Sequence, residues 1–344
     1  MCTRDRFNGA HGPVAKRVKN LCAQCDTFLA NNRSPHRAFV YDQVVSFGEL
    51  LSTSIICAYL NHVGIAAEWV DARSCIKTDN FYRSAHLNWE QTQSAIQDQI
   101  QGNVLKVTQG FIASDMNNFT TTLGREGSDY TAAIFAYCLG ATDVTIWKDV
   151  QGVLNADPRV FDKTQLLEHI SYQEAIELAF YGASVIHPKT LQPLQRKEIP
   201  LYVKSFLNPK QKGTKVGKGV PMQPEIPCYI VKKGLSLLRL STRDFSFVVE
   251  DNISDIFKLL HEHKMSVDVI QNSAISFSVC VEDTYHKMDA LLLALRSRFD
   301  VKHTPDVSLY TIRHFEENSA NTLLSTHDLV LEQRTATTLQ LVLK

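Results

Sequence analysis

A loop rich in glycine and hydroxyl side chains, TTTLGREGSDYTAA, precedes a run of apolar residues with helical spacing. Gly124 and Gly127 allow a sharp turn and a close approach of the backbone to a ligand. Arg125 can bind a carboxylate through two parallel hydrogen bonds, and Ser128 and Asp129 can cap the helix. The unpaired amides at a helix start attract anions. The loop therefore predicts a phosphate or carboxylate site, although an ordinary capped loop is the better explanation of the Ser-Asp pair taken alone.

The elements that must position this loop alternate between strands and helices. Helices are predicted over 44–61, 130–139 and 170–182, and strands over 66–73, 102–114, 144–150 and 200–206. Ser171 and Glu174 form a capping-box pair at the start of the third helix. The alternation predicts an α/β fold with a mostly parallel sheet covered on both faces. The first forty residues are basic and are expected to be irregular.

The pattern changes after a segment rich in Gly, Pro and Lys at 208–227, which indicates a linker. Strands are predicted over 234–242, 265–273, 274–282 and 306–315, and helices over 253–264 and 285–299. The order strand–helix–strand–strand–helix–strand is typical of a ferredoxin-like α+β unit. The closing residues 328–344 are expected to add strands of a second, abbreviated unit.

Composition argues against several classes of protein. The chain has 344 residues, and its 36 basic and 36 acidic residues lack the basic excess of nucleic-acid and membrane-surface binders. Of eight cysteines, only Cys22 and Cys25 form a CxxC pair, which favours reduced, mostly buried thiols over a zinc site. No signal-like stretch and no run of membrane-spanning length is evident, so we expect a cytoplasmic protein without nucleic-acid or membrane partners.

Four motifs in order resemble aspartate kinase: SFGELLS, TTTLGREGSDYTAA, IWKDVQGVLNADPR and ELAFYGASVIHPKT. The resemblance extends from Val44 to the C-terminus. It implies an amino-acid kinase αβα sandwich over 1–218, truncated at its N-terminus, followed by an α+β ferredoxin-like ACT regulatory region over 228–344. It also implies ATP and Mg²⁺ as cofactors and a homodimer formed through the ACT modules.

The implied reaction is the ATP-dependent phosphorylation of the L-aspartate side chain, the first step of lysine, threonine and methionine biosynthesis. By resemblance, Arg125 binds the substrate α-carboxylate, and Glu49 and Asp129 bind its ammonium; Arg125 and Asp129 are the catalytic pair. The substrate loop is lined by Gly124, Gly127 and Ser128. The nucleotide residues implied are Trp147, Lys148, Asp149, Arg159, Ser184 and Val185. Purely structural roles for some of these residues stay open, since Glu49 can be solvated and Asp149 and Arg159 can belong to plain turns.

Several positions depart from the family pattern. Lys148 stands where Thr is common, Ser184 where Lys is often found, and Glu126 where a small residue is usual. The Lys-Phe-Gly-Gly strand end that neutralises the transferred phosphoryl group has no counterpart beyond the faint echo RFNG at 6–9. The chain is therefore expected to lack a central strand of the fold and part of its phosphate loop. The alternative is a non-catalytic amino-acid sensor that lost phosphoryl transfer; a glutamate or carbamate kinase is disfavoured by SFGE together with the ACT region.

The ACT region implies an effector pocket for an amino acid. A helix N-terminus can bind the effector carboxylate, and Asp268 its ammonium. The implied residues are Asp251, Asn252, Ile253, Ser266, Val267, Asp268 and Ser273. Lysine-sensing relatives carry a Glu where Ala274 stands, which leaves the identity of the effector open. A module that only dimerises is an equally weighted alternative.

Overall fold

The computed structural model describes residues 12–183, 185–219, 221–244 and 246–344, so the echo at 6–9 lies outside the described residues. The chain divides into two compact units, and each draws on separate segments. The first comprises Met1–Asp149, Ile186–Pro209 and Lys215–Val220, and the second Val150–Val185, Lys210–Thr214 and Pro221–Lys344. The segment predicted as a linker is thus shared between the units. The division at 1–218 and 228–344 stays a prediction.

The elements up to residue 217 are α1 (Pro13–Asn31), α2 (Arg37–His62), β1 (Ala67–Trp69), α3 (Ala72–Cys75), α4 (Trp89–Gln99), β2 (Leu105–Val107), β3 (Ile112–Ser114), β4 (Thr120–Thr122), α5 (Gly127–Leu139), β5 (Val144–Lys148), β6 (His169–Ser171), α6 (Tyr172–Tyr181), α7 (Pro188–Lys197), β7 (Leu201–Ser205) and β8 (Thr214–Gly217). Strands β1 and β2 pair in parallel, as do β5 and β7, whereas β3 and β4 are antiparallel. Parallel pairs joined through helices confirm the α/β class of this part.

Helix α1 corrects the expectation that the first forty residues are irregular. Pro13 occupies its first turn, where a missing N–H leaves no intrahelical bond unmade, and good helix formers such as Ala, Lys and Leu follow. No residue of α1 is buried. Half-buried apolar residues nevertheless recur along it at helical spacing, including Val14, Val18, Leu21 and Phe28, and α1 packs against α2. A partly buried stripe packed on α2 therefore accounts for the helix together with local propensity.

Helix α2 packs by one face against other elements of the first unit. By length and composition it could cross a membrane, which corrects the expectation that no segment reaches that length. However, Asp42, Ser46 and Ser54 are buried on it, and it packs against α1, β1 and β4. The Gln43 amide donates to Thr120 O at 2.7 Å and accepts from Thr120 N at 3.2 Å. These contacts fix the helix that carries Glu49 to the strand that leads into the glycine loop.

The second unit continues with β9 (Cys228–Thr242), α8 (Glu250–Glu262), β10 (Ser266–Asn272), β11 (Ser276–Glu282), α9 (Met288–Arg296), β12 (Phe299–Arg313), α10 (Asn321–Leu324), β13 (Leu329–Arg334) and β14 (Thr338–Leu343). Six of these strands form one sheet in the order β10-β11-β9-β12-β14-β13. The antiparallel pairing of the first four confirms the ferredoxin-like prediction. Strands β9 and β12 extend beyond that unit, and β12 pairs with β14 there.

A single apolar core joins the two longer helices of this region to its sheet. Ile256 and Leu260 of α8 and Leu291 of α9 are buried against sheet residues such as Leu240 and Phe277. Burying a large apolar side chain contributes about 1.5–3 kcal/mol, so this cluster stabilises the ferredoxin-like part substantially.

Only one of the two hydrogen bonds of the predicted capping box is present at the start of α6. Ser171 caps the helix, and its Oγ accepts from Glu174 N at 3.0 Å. The Glu174 carboxylate does not return to the cap as a capping box requires, because it accepts from Arg313 at 2.6 and 3.2 Å. A guanidinium brought in by β12 outcompetes the local partner, since a charge-assisted double hydrogen bond is stronger than one to a backbone amide.

Candidate functional site

The glycine loop lies between β4 and α5, and both of its glycines are required by close packing. Gly124 has φ +78°, and a Cβ there would come within 3.2 Å of Arg83 O and Ser84 Oγ. Gly127 is buried, and a Cβ there would come within 2.7 Å of the Phe111 ring. The prediction that these glycines permit a turn is confirmed for Gly124 by its left-handed backbone. Their freedom to approach an anion stays a prediction.

Asp42 of α2 is a buried carboxylate that binds the end of β4, just before the glycine loop. It accepts from Thr122 N and Thr122 Oγ1, both at 2.9 Å, and from Arg83 N at 2.9 Å. Burial raises the pKa of Asp42, although the hydrogen bonds from Arg83 and Thr122 oppose that shift. Asp42 was not predicted as a site residue, because one acid in an apolar helix carries no signal of a partner 80 residues away.

The first turn of α5 exposes the groups that the loop was expected to offer. The side chains of Arg125 and Ser128 are exposed, and Arg125 makes no hydrogen bond or ion pair within the described part of the chain. The amides of Ser128 and Asp129 belong to the first turn, where intrahelical acceptors are lacking. A guanidinium and a helix N-terminus therefore stand next to one another, free to bind an anion.

Asp129 and Lys148 form an ion pair inside the first unit. The Lys148 Nζ lies 2.9 Å from Asp129 Oδ2, and the two side chains are 22% and 16% exposed, respectively. Oδ2 is buried and accepts no hydrogen bond from the described residues, so the contact is one of charge without hydrogen-bond alignment. The structure thus brings together one residue predicted for the amino acid and one predicted for the nucleotide.

Lys189, at the start of α7, is a second residue that the sequence analysis missed. Its Nζ donates to Leu123 O at 3.2 Å and lies 5.2 Å from the centre of the Tyr130 ring. Burial lowers the pKa of Lys189. The ammonium holds the carbonyl immediately before Gly124, so Lys189 positions the loop. The lysine of the HPKT motif was visible in the sequence, but its target was not.

Glu49 is half-buried on α2, and burial raises the pKa of its carboxyl group. The carboxylate makes no hydrogen bond or ion pair with any described residue. The alternative that Glu49 is simply solvated stays open, because water can hydrate a half-buried carboxylate. A half-buried carboxylate of this kind is suited to a cationic group supplied by a ligand.

The predicted nucleotide residues are divided between the two units. Trp147, Lys148 and Asp149 lie at the end of β5 in the first unit, where Trp147 and Asp149 are exposed. Arg159 belongs to the second unit and donates to Asp157 at 3.0 and 2.7 Å. That guanidinium lowers the pKa of Asp157. Val185 also lies in the second unit, and Ser184 lies outside the described residues.

The predicted effector residues do not converge within the second unit. Asp251, Asn252 and Ile253 form the first turn of α8, whereas Ser266, Val267 and Asp268 begin β10 after that helix has ended. A helix of 13 residues is about 20 Å long, so the two groups lie at opposite ends of it. Ser273, at the far end of β10, bonds to Ser276 at 2.8 Å. The effector pocket as a whole stays a prediction.

Asp268 already has a cationic partner. Lys232 Nζ lies 2.5 Å from Asp268 Oδ1, while Oδ2 is buried without a hydrogen bond from the described residues. A cavity of about 130 Å³ adjoins the pair, lined by Phe180, Tyr181, Lys232, Ser266, Val267, Asp268 and Leu309. An effector ammonium would have to share Asp268 with this lysine.

Glu126 introduces strain at the helix start. It adopts φ +52° in the left-handed region, and its Oε2 is buried with no hydrogen bond from the described residues. A non-glycine residue in this region costs about 1–2 kcal/mol, and a buried unpaired polar atom costs about 1–3 kcal/mol. The favourable interaction with the helix dipole offsets about 0.5 kcal/mol of that cost.

Replacing Glu126 by glycine is therefore expected to raise the free energy of unfolding by about 1–2 kcal/mol, after the extra entropy of glycine in the unfolded chain is subtracted. Urea denaturation followed by circular dichroism measures this change. Glu198→Gly is the matched control: Glu198 has φ +57°, but its exposed carboxylate is paired with Lys218. We expect the control to shift stability by less than about 0.5 kcal/mol. Equal shifts in both variants would contradict the role of the buried oxygen.

The chain is similar in sequence to several known aspartokinases. The chain is 35% identical over 246 residues to lysine-sensitive aspartokinase 3 of Escherichia coli K12, covering 71% of this chain and 55% of that protein. It is 36% identical over 251 residues to the chloroplastic aspartokinase 1 of Arabidopsis thaliana, covering 70% and 43%. The chain thus spans about half the length of the curated relatives it matches.

Two crystal structures of E. coli aspartokinase III show the same fold. The complex with lysine and aspartate superposes with a TM-score of 0.81 at 27% identity, over 98% of this chain and 79% of that one. The complex with aspartate and ADP gives a TM-score of 0.79 at 26% identity, over 98% and 80%. The resemblance to aspartate kinases and the predicted fold class, an amino-acid kinase part followed by an ACT-like part, are confirmed. Because the model of the amino acid kinase family matches residues 8–205, more than half of the sequence, the chain belongs to the amino acid kinase family.

Proposed function

We propose that the chain is an aspartate kinase, which transfers the γ-phosphoryl group of ATP to the side-chain carboxylate of L-aspartate. The products are ADP and 4-phospho-L-aspartate, the first intermediate on the way to lysine, threonine and methionine. The observation that carries the proposal is the exposed, unpaired guanidinium of Arg125 beside the amide-rich first turn of α5. The likeness to aspartokinases supports aspartate as the amino acid.

The substrate would be held at both ends of its amino-acid moiety. Arg125 binds the α-carboxylate through a bidentate pair, assisted by the amides around Ser128. Asp129 and Glu49 bind the ammonium, and a nearby cation favours the ionised form of the half-buried Glu49. With both ends fixed, the side-chain carboxylate is left to face the nucleotide. This positioning converts an encounter of two anions into a reaction between oriented groups.

Phosphoryl transfer needs little covalent participation from the protein. An oxygen of the aspartate side chain attacks the γ-phosphorus while the bond to the β–γ bridging oxygen breaks. Trp147, Lys148 and Asp149 of the first unit would flank the nucleotide. Roles for Arg159, Ser184 and Val185 in binding it stay predictions. Asp149, which follows Lys148 in the sequence, is exposed and so accessible to a nucleotide-bound cation. Bound Mg²⁺ supplies neutralisation of the phosphate charge, and phosphate oxygens and water usually provide most of its ligands.

Regulation and assembly complete the proposal. We propose that the ACT-like part binds an amino-acid effector and that the chain forms a homodimer through it. The candidate effector residues are Asp251–Ile253, Ser266–Asp268 and Ser273, which lie in separate places and are separate candidate positions for that effector. We also propose a cytoplasmic location and a division into a catalytic region over 1–218 and a regulatory region over 228–344. Sedimentation and titration with single amino acids test the assembly and the effector.

Trapping the product tests the activity. The purified chain is incubated with Mg-ATP, L-aspartate and hydroxylamine, and the coloured ferric hydroxamate is measured. We expect hydroxamate that depends on both aspartate and ATP, with none from glutamate. Aspartate binding without any hydroxamate would favour a non-catalytic amino-acid sensor, and no binding of aspartate or nucleotide would contradict both functions.

A further inference from the structure

Asp129 already has a cation in this structure, and that cation belongs to the protein. Lys148 Nζ lies 2.9 Å from Asp129 Oδ2, at the position where the proposed function requires the ammonium of the substrate. We propose that Lys148 is a coupling residue: the substrate ammonium displaces it from Asp129, and the released ammonium then binds the phosphates of the nucleotide. This inference rests on the proposed function and names how its two substrate sites communicate.

The contact is suited to exchange. Asp129 Oδ2 is buried but accepts no hydrogen bond from the described residues. Lys148 therefore neutralises the charge of Asp129 without donating an aligned hydrogen bond to it. A ligand ammonium aligned for hydrogen bonding satisfies both. Lysine has a flexible four-carbon stem and three rotatable donors, so its head can turn while the stem stays in place. The Lys148 side chain is 22% exposed, which leaves room for that turn.

The position of Lys148 determines where its ammonium can go once it leaves Asp129. It is the last residue of β5, directly between Trp147 and Asp149, which the proposed function places beside the nucleotide. Before exchange, the charges of Asp129 and Lys148 cancel. After exchange, the substrate ammonium neutralises Asp129, and one uncompensated positive charge faces the phosphates. Aspartate and nucleotide should therefore bind cooperatively, and linkage requires each to strengthen the other by the same factor.

The mechanism selects for an amine on the ligand. Succinate and N-acetyl-aspartate carry the two carboxylates but no ammonium, so they can occupy the Arg125 site without displacing Lys148. They should compete with aspartate without strengthening nucleotide binding. If the coupling depended on the carboxylates alone, succinate and N-acetyl-aspartate would strengthen nucleotide binding as aspartate does.

Calorimetric titration tests the coupling. In the native chain, saturating aspartate is expected to tighten binding of a non-hydrolysable ATP analogue with Mg²⁺ about tenfold, within the usual range of such couplings. In Lys148→Met the factor should fall to about one, and aspartate alone should bind more tightly because no internal cation competes. Lys148→Thr should behave in the same way, which guards against a folding defect of one variant. Succinate should give no tightening in any form.

Lys204→Met is the matched control, because Lys204 lies on the neighbouring strand with its Nζ 6.0 Å from the Trp147 ring and has no carboxylate partner among the described residues. It should keep the native coupling factor. An unchanged factor in Lys148→Met and Lys148→Thr, or succinate that is as effective as aspartate, would overturn the inference while leaving the kinase proposal intact. A native chain that binds neither aspartate nor nucleotide would overturn the proposed function, and this inference with it.

Discussion

Substituting Arg125 by alanine is expected to lower kcat/KM for aspartate by about 10²–10³. The guanidinium can make two charge-assisted hydrogen bonds to the α-carboxylate, and each contributes about 1.5–3 kcal/mol. A loss of about 3–4 kcal/mol corresponds to that range at 1.4 kcal/mol per factor of ten. Because Arg125 is exposed and makes no hydrogen bond or ion pair within the described part of the chain, the melting temperature should not change.

Arg125→Lys separates charge from geometry. The ammonium keeps the positive charge but cannot bind a carboxylate with a planar pair of donors, so we expect an intermediate loss of about tenfold. Arg298→Ala removes an exposed arginine of the second unit, where it pairs with Asp255 at 2.5 Å, and should leave the kinetics unchanged. Native kcat/KM in Arg125→Ala would show that the loop does not bind the amino acid.

Substituting Glu174 by alanine is expected to lower the free energy of unfolding by about 2–4 kcal/mol. Glu174 and Arg313 are nearly buried, with side chains 9% and 10% exposed, and their closest atoms are 2.6 Å apart. Removing Glu174 leaves the guanidinium with one remaining carboxylate, that of Glu177, whose Oε2 lies 3.6 Å from Arg313 Nη1 and whose side chain is 36% exposed. The buried charge is then only weakly compensated, which is more costly than the loss of a surface pair. Arg313 keeps a hydrogen bond to Thr338 Oγ1 at 2.7 Å, which cannot neutralise it. Urea denaturation monitored by circular dichroism measures the change.

A double variant distinguishes charge burial from packing. Glu174→Leu combined with Arg313→Met fills similar volume without charge, and we expect it to recover most of the lost stability. Asp255→Asn, which breaks the exposed pair with Arg298, should cost less than about 1 kcal/mol. If Glu174→Ala costs no more than this surface variant, the buried pair does not stabilise the second unit.

The same pair predicts a dependence on pH. Burial by itself would raise the pKa of Glu174, but hydrogen bonds and charge from Arg313 and His314 outweigh it, so the pKa is lowered. A carboxyl group with a lowered pKa in the folded state stabilises the fold above its unfolded value of about 4.3. That contribution disappears as the pH falls from about 4.3 through the lower folded value. The stability of Glu174→Ala should consequently fall less steeply than that of the native chain over that acidic range.

Local patterns in the sequence determined much of the fold of this protein. Alternating strands and helices, the cap at Ser171 and the turn at Gly124 are properties of neighbouring residues, and each was predictable from them. Helix α1 was not predicted, although Val14, Val18 and Leu21 recur there at helical spacing, because the basic residues of that segment obscure the apolar stripe. The loop chemistry was readable for the same local reason: the glycines, Arg125 and Asp129 lie within six residues of one another.

Only the tertiary structure decided which charges meet. Asp42 reaches Thr122 across 80 residues, Glu174 reaches Arg313 across 139, and Lys189 reaches Leu123 across 66. A buried charge takes the partner that the packing of helices and strands brings within about 3 Å, and no pattern of nearby residues specifies that partner. Sequence thus determined which groups were available to bind an amino acid and a nucleotide, and packing decided how those groups are paired and held.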